Sequence, residues 1–252
     1  MQEICPICGS KELKVLDKVE KKFKCLSCDE TFNLTPHVIK TVERVVTKVK
    51  ENDSRELTAK EIYNLNIDSI VEVSCIFGDE SASGTGFYVS TDGYLITNAH
   101  VVIDINGKNS KLCESVYVSK SRSTDYLEAD VVYLDAKDDL ALLKVKDKKD
   151  CQPIKFAKTL DIGEKLTVIG NSEGQGLLVL DGIVGDVNRE YKNTKAFIFN
   201  ALVTHGCSGG PIFNSRGELC GVTVGGSKTN AGMKYGILVE KVEELIDKFK
   251  RK

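Results

Sequence analysis

The stretch THGCSGGPIF, Thr204 to Phe213, sets a single serine, Ser208, in a turn walled by Gly206, Gly209 and Gly210. A hydroxyl attacks an acyl carbon efficiently only where backbone N–H groups point at the oxyanion that forms, and a glycine just before the nucleophile allows that geometry. The amides of the segment Gly206, Cys207, Ser208 are therefore the expected oxyanion donors. Gly209 and Gly210 let a second backbone come close, and Pro211 with the apolar residues after it returns the chain to a strand. A glycine-rich hairpin turn is the plain alternative for these residues taken alone.

A serine needs a base, and the chain has three histidines, His37, His100 and His205. His205 is on the same loop as Ser208, too near along the backbone to approach from across a cleft, and His37 belongs to an N-terminal helical pattern. His100 remains. It follows the apolar run GYLIT in GYLITNAHVV, Gly93 to Val102, which reads as a strand ending before the imidazole. The third member is a carboxylate that fixes the imidazole tautomer, and Asp139 in DDLALLKV directly precedes a buried-strand pattern. Asp138 is the near alternative.

The chain order His, Asp, Ser is that of the chymotrypsin-like fold. With TNAHVV, DLALLKV, GCSGGP, SGTGFYVSTDGYLITNAHVV and GELCGVTVG in sequence, the chain resembles the trypsin-like peptidases, and among them the HtrA (Deg) family, from about Asp68 to Val239. The resemblance implies a double β-barrel with His100 and Asp139 on the first barrel and Ser208 on the second. It also implies hydrolysis of protein or peptide substrates with no cofactor for catalysis, in quality control or regulated proteolysis. Relatives that cut after Lys or Arg carry an acid six residues before the nucleophile, where this chain has Leu202. An apolar P1 preference is expected, with Leu202, Val222, Thr223 and Val224 as pocket walls. Two departures stand out: Cys207 occupies a position where the family usually has asparagine, and no PDZ domain is expected after the barrels. The contrasting reading is a binding or sensor module whose triad is idle.

A formal net charge of −2 argues against general nucleic-acid binding. MQEICPICGS does not read as a signal peptide and no run approaches the apolar length of a membrane span, so neither export by a standard signal nor anchoring is expected. Nine cysteines in such a chain suggest reduced thiols and metal ligands, hence a cytoplasmic setting. Cys5 and Cys8 form one CxxC, Cys25 and Cys28 another, with Gly9 through Lys24 between them. This is zinc-ribbon spacing: four thiolates close one tetrahedral structural zinc, too closed for catalysis, with a redox CxxC pair as the alternative. Lysines and acids balance across residues 1–34, so the ribbon is expected to meet a protein partner rather than nucleic acid. The chain is expected to be able to oligomerise.

The expected fold class is all-β, a chymotrypsin-like double β-barrel preceded by a small zinc ribbon and a helical linker. Residues 1–34 form the ribbon and residues 35–67 the linker, with a valine stripe (Val38, Val42, Val45, Val46, Val49) and a Thr58/Glu61 capping box. Residues 68–240 form the two barrels, crossing near 150, and residues 241–252 a C-terminal helix expected to pack on the second barrel.

Overall fold

The computed structural model describes residues 13–17, 22–25, 31–33, 55–104, 111–146, 148, 150–226 and 232–251. Contacts divide the chain into Met1–Arg55 and Glu56–Lys252. In the first unit β1 (Leu13–Asp17), β2 (Lys22–Cys25) and β3 (Thr31–Asn33) form an antiparallel sheet in that order. The expected zinc ligands Cys5, Cys8 and Cys28 and the valine stripe lie outside the described residues, as does the Cys25 side chain.

The second unit opens with α1 (Ala59–Asn66), which is capped as its sequence requires. Glu61 N donates to Thr58 Oγ1 at 3.3 Å, and Thr58 N donates to Glu61 Oε2 at 2.9 Å. The chain then runs through β4 (Ile70–Phe77), β5 (Glu80–Tyr88), β6 (Tyr94–Thr97), a single helical turn α2 (Ala99–Val102), β7 (Ile103–Asp104), β8 (Lys111–Leu112), β9 (Ser115–Ser119), β10 (Leu127–Asp135) and β11 (Leu140–Val145). Six of these strands close a barrel in the order β10-β11-β6-β5-β4-β9, while β7 and β8 pair as a separate ribbon.

The crossing is pinned to the first barrel by Cys151 N on Thr91 O (3.0 Å) and Ile154 N on Tyr88 O (3.0 Å). Ala157 N on Leu219 O (2.8 Å) then ties it to the second barrel. That barrel is built from β12 (Lys165–Asn171), β13 (Leu177–Tyr191), β14 (Thr194–Phe199), β15 (Pro211–Phe213), β16 (Leu219–Gly226) and β17 (Lys234–Leu238), closed in the order β12-β13-β14-β17-β16-β15.

The run Leu140-Ala-Leu-Leu143 has no polar face because β11 is covered on both sides. Ala141, Leu143 and Val145 fill the first barrel with Val73, Leu95 and Val118. Leu140 and Leu142 turn outward into a cluster shared with Phe213 and Val222 of the second barrel. Inside the second barrel, Phe197, Phe199, Val168 and Ile212 pack together.

The chain's described residues end in α3 (Val239–Lys250). The helix does not pack on the second barrel alone. Val242 and Leu245 are buried in the cluster between the barrels, and the Phe249 ring lies 5.4 Å from that of Tyr94 and 6.4 Å from that of Tyr133 in the first barrel. The apolar stripe is wide enough to cover the seam, and Lys248 Nζ anchors it to Asp135 Oδ2 at 2.7 Å. Among the described residues no helix is long and apolar enough to cross a membrane.

Candidate active site

β6 stops at Thr97, before the imidazole as expected, and His100 itself stands on α2. A helix this short has unsatisfied N-terminal amides, and Asp139 supplies their acceptors. Its carbonyl accepts from Ala99 N (3.1 Å) and Asn98 Nδ2 (2.9 Å), and its Oδ1 accepts from His100 N at 2.9 Å. The other carboxylate oxygen lies 2.8 Å from His100 Nδ1. Asp139 reaches this position through a left-handed backbone, φ 51°, at the turn before β11. A carboxylate on Nδ1 holds the proton there and leaves Nε2 with its lone pair toward the opposite side of the ring.

Asp138, the alternative acid, is directed elsewhere. It is buried, accepts from Thr194 Oγ1 at 2.5 Å and lies 3.7 Å from Lys241 Nζ. His205 is exposed on the Ser208 turn, and its carbonyl is bound by Glu173 N. His37 lies outside the described residues.

The Ser208 turn is seated directly on the residues that flank His100. A Cβ at Gly84 would lie 2.8 Å from Val101 Cγ2 and 3.0 Å from the Ser208 carbonyl oxygen. At Gly209, φ 81°, a Cβ would overlap Thr85 O and Thr97 Oγ1 and lie 3.0 Å from Asn98 N. Only glycine permits this contact between the two barrels.

Every carbonyl from Thr204 to Ser208 accepts a hydrogen bond. Thr204 O takes Cys207 N (3.3 Å), His205 O takes Glu173 N (2.7 Å), Gly206 O takes Thr85 Oγ1 (2.8 Å), Cys207 O takes Gly210 N (2.9 Å) and Ser208 O takes Thr85 N (2.8 Å). Gly209 N is donated to Thr223 O at 2.9 Å. From Gly206 to Gly210 this leaves the amides of Gly206 and Ser208 with no acceptor among the described residues. Cys207 drops out of the expected oxyanion donors because its N–H is already used within the turn. Its side chain is fully buried, and burial pushes the thiol above its ordinary pKa, so it carries no thiolate.

Val222, Thr223 and Val224 lie along β16 with side chains 0%, 1% and 3% exposed, whereas Leu202 is 75% exposed. The first three residues are therefore buried within the barrel, while Leu202 stands out into solvent. Sequence reasoning missed Thr85. It is fully buried in β5 and touches the Ser208 turn, β6 and β12, a role that no local pattern in SGTGF reveals.

The sequence profile of the trypsin-like peptidase domain matches residues 84–222, more than half of the chain. A probable periplasmic serine endoprotease, DegP-like, from Rhizobium meliloti (strain 1021) is 32% identical over 174 residues, covering 66% of this chain and 33% of that protein. Serine protease HTRA1 of Xenopus tropicalis is 30% identical over 175 residues, covering 66% of this chain and 36% of that protein. The chain thus spans about a third of the length of these two curated relatives. The crystal structure of a serine endoprotease from Yersinia pestis superposes with a TM-score of 0.68 at 26% identity, covering 79% of this chain and 68% of that one. With two six-stranded barrels meeting at a glycine-walled serine turn, and a profile match running across both, the chain belongs to the trypsin-like peptidase family and is similar to its HtrA and DegP members.

Proposed function

We propose that the chain is a serine endopeptidase in which Ser208 is the nucleophile, His100 the general base and Asp139 the carboxylate that orients it. The observation that carries this reading is the two-point hold of Asp139 on His100, at 2.9 Å to the backbone N and 2.8 Å to Nδ1, beside a turn with two unengaged amides. In the reaction, His100 Nε2 takes the Ser208 proton as the oxygen attacks a peptide carbonyl. The N–H groups of Gly206 and Ser208 receive the oxyanion. His100 then returns the proton to the leaving amine and later activates the water that releases the acyl group. Covalent labelling by a fluorophosphonate probe tests this: it is expected in the parent and lost in Ser208→Ala and His100→Ala. Labelling that survives Ser208→Ala would move the chemistry to another residue.

The substrate class is protein or peptide, with apolar P1 side chains. Leu202, in place of an acid, supports that preference, and a peptide-library profile dominated by basic P1 residues refutes it. The N-terminal unit is proposed to be a ribbon closed by one structural zinc on Cys5, Cys8, Cys25 and Cys28, able to recruit a protein partner. The two CxxC pairs, with β1 and β2 between Cys8 and Cys28, support this by their ribbon-like spacing. A reducing, cytoplasmic setting is proposed on the same thiol chemistry, supported by five free and buried cysteines, Cys75, Cys113, Cys151, Cys207 and Cys220.

A further inference from the structure

Thr85 uses every polar atom it has, and all of them act on the nucleophile turn or on what flanks it. Its N donates to Ser208 O (2.8 Å) and its carbonyl accepts from Thr97 Oγ1 (2.8 Å), two residues before Ala99 and the α2 turn. Its hydroxyl accepts from Asn171 N at 2.9 Å, which commits the hydroxyl proton to Gly206 O at 2.8 Å.

The two oxyanion amides depend on this one hydroxyl by separate routes. The Gly206–Cys207 peptide is held at its oxygen by Thr85 and at its nitrogen only by the 3.3 Å bond to Thr204 O. Its orientation sets the backbone torsions on either side, and therefore where the Gly206 and Ser208 N–H groups point. Asn171 ends β12 and leads into the turn at Ser172–Gly174, from which Glu173 N grips His205 O at 2.7 Å. That carbonyl belongs to the peptide unit whose N–H is Gly206's. The hydroxyl thus steadies, through Gly206 O, the peptide that lies between the two donor peptides, and, through the Asn171 turn, the peptide that carries the Gly206 N–H.

We infer that Thr85 is a positioning residue for the oxyanion hole, acting through its hydroxyl on the peptide between the two donors and on the turn that holds the Gly206 donor peptide. The inference rests on the peptidase reading for its rate consequence but not for its geometry. Thr85→Val keeps the shape and removes the hydroxyl, while Thr85→Ser keeps the hydroxyl and removes the methyl.

In the full chain, Thr85→Val is expected to slow fluorophosphonate labelling and lower kcat on a fluorogenic apolar-P1 peptide by roughly tenfold to a hundredfold. That is less than the loss from deleting a donor outright. KM should stay within about threefold, since ground-state binding is not what the hydroxyl supports. Thr85→Ser should stay within about threefold of the parent on every measure, taking the same criterion. Amide hydrogen exchange supplies a readout independent of turnover: residues 204–210 should exchange faster in Thr85→Val and at the parent rate in Thr85→Ser.

Parent-like kcat, labelling and exchange in Thr85→Val overturn the inference. So does a Thr85→Ser variant that loses more than tenfold, a result that stands even if Thr85→Val does not fold. A parent that neither labels nor cleaves sinks the peptidase reading instead, and the exchange comparison still decides whether Thr85 holds the turn.

Discussion

Thr194 Oγ1 donates a 2.5 Å hydrogen bond to Asp138 Oδ1, so the residue next to Asp139 is held by a side chain of the opposite barrel. Adjacent acids thus have unlike duties: Asp139 serves His100, and Asp138 braces the seam with Lys241 Nζ 3.7 Å away. Asp139→Asn should lower kcat by on the order of 10⁴, because the amide can stabilise the wrong imidazole tautomer. Asp138→Asn keeps an acceptor for Thr194 and should stay within about tenfold in activity. Lys241→Met strands a buried carboxylate and should cost about 1–3 kcal/mol of stability. Equal kinetic losses in the two aspartate variants would contradict this division.

Cys207 adjoins Ser208 yet is sealed in the second-barrel core, where burial raises its thiol above the ordinary range. Cys220 is pushed up further for the same reason. Iodoacetamide applied to the folded protein at neutral pH should leave fluorophosphonate labelling of Ser208 intact, because alkylation needs an accessible thiolate. Loss of labelling together with a carboxamidomethyl group on Cys207 would show the turn to be open.

Gly209 and Gly163 share a left-handed backbone, φ 81° and 84°, but a Cβ at Gly163 would meet nothing within 4 Å. Gly163→Ala should therefore cost only the conformational strain, about 1–2 kcal/mol. Gly209→Ala adds the collision with Thr85 O and Thr97 Oγ1 and should lower Tm by roughly 10 °C or more, with labelling lost. Thermal melts of the two variants separate strain from collision, and similar Tm values would refute the packing of Gly209 against β5 and β6.

How much of this was legible in the sequence follows from how local each signal is. β4 and β9 are legible because β-branched and apolar residues at alternate positions run up to turn residues there. The Thr58/Glu61 box is likewise a four-residue pattern and forms as read. β13 runs on to Tyr191, a length that no local pattern reveals, because register shifts at Val184/Asp186 and Asp186/Arg189 destroy the alternation that marks a strand. Two acids before β11 look alike in sequence; only the left-handed turn at Asp139 tells them apart. Thr85 was invisible because its partner Gly206 lies 121 residues along the chain.

Asp135 gives a pH test. Burial disfavours its charge, but Lys248 Nζ at 2.7 Å and the backbone N–H groups of Asp138 and Lys137 outweigh that and hold the carboxyl below the usual carboxylate range. A carboxyl depressed in the folded state stabilises the protein above its unfolded pKa, near 4, and loses that contribution as pH falls through the lower folded value. Lys248 is partly exposed, so the pair contributes about 1 kcal/mol at most, roughly 2–4 °C in Tm. Asp135→Asn should show that deficit at pH 7 and a shrinking one below about pH 4. An undiminished deficit at pH 3 would assign the loss to packing.

For the N-terminal unit, elemental analysis of the full chain should find one zinc per protein, and Cys25→Ser should reduce it severalfold, because three thiolates hold the ion far less tightly. Prolonged chelation should unfold β1–β3 while the barrels keep their melting transition. A chain that retains no zinc after purification in its presence would leave the paired cysteines to redox chemistry.

Helix α3 spans the seam between the barrels and follows the strands of both in chain order. Because its Phe249 ring reaches Tyr94 and Tyr133 while Val242 and Leu245 sit in the core that the barrels share, loosening this one helix would free both barrels at once.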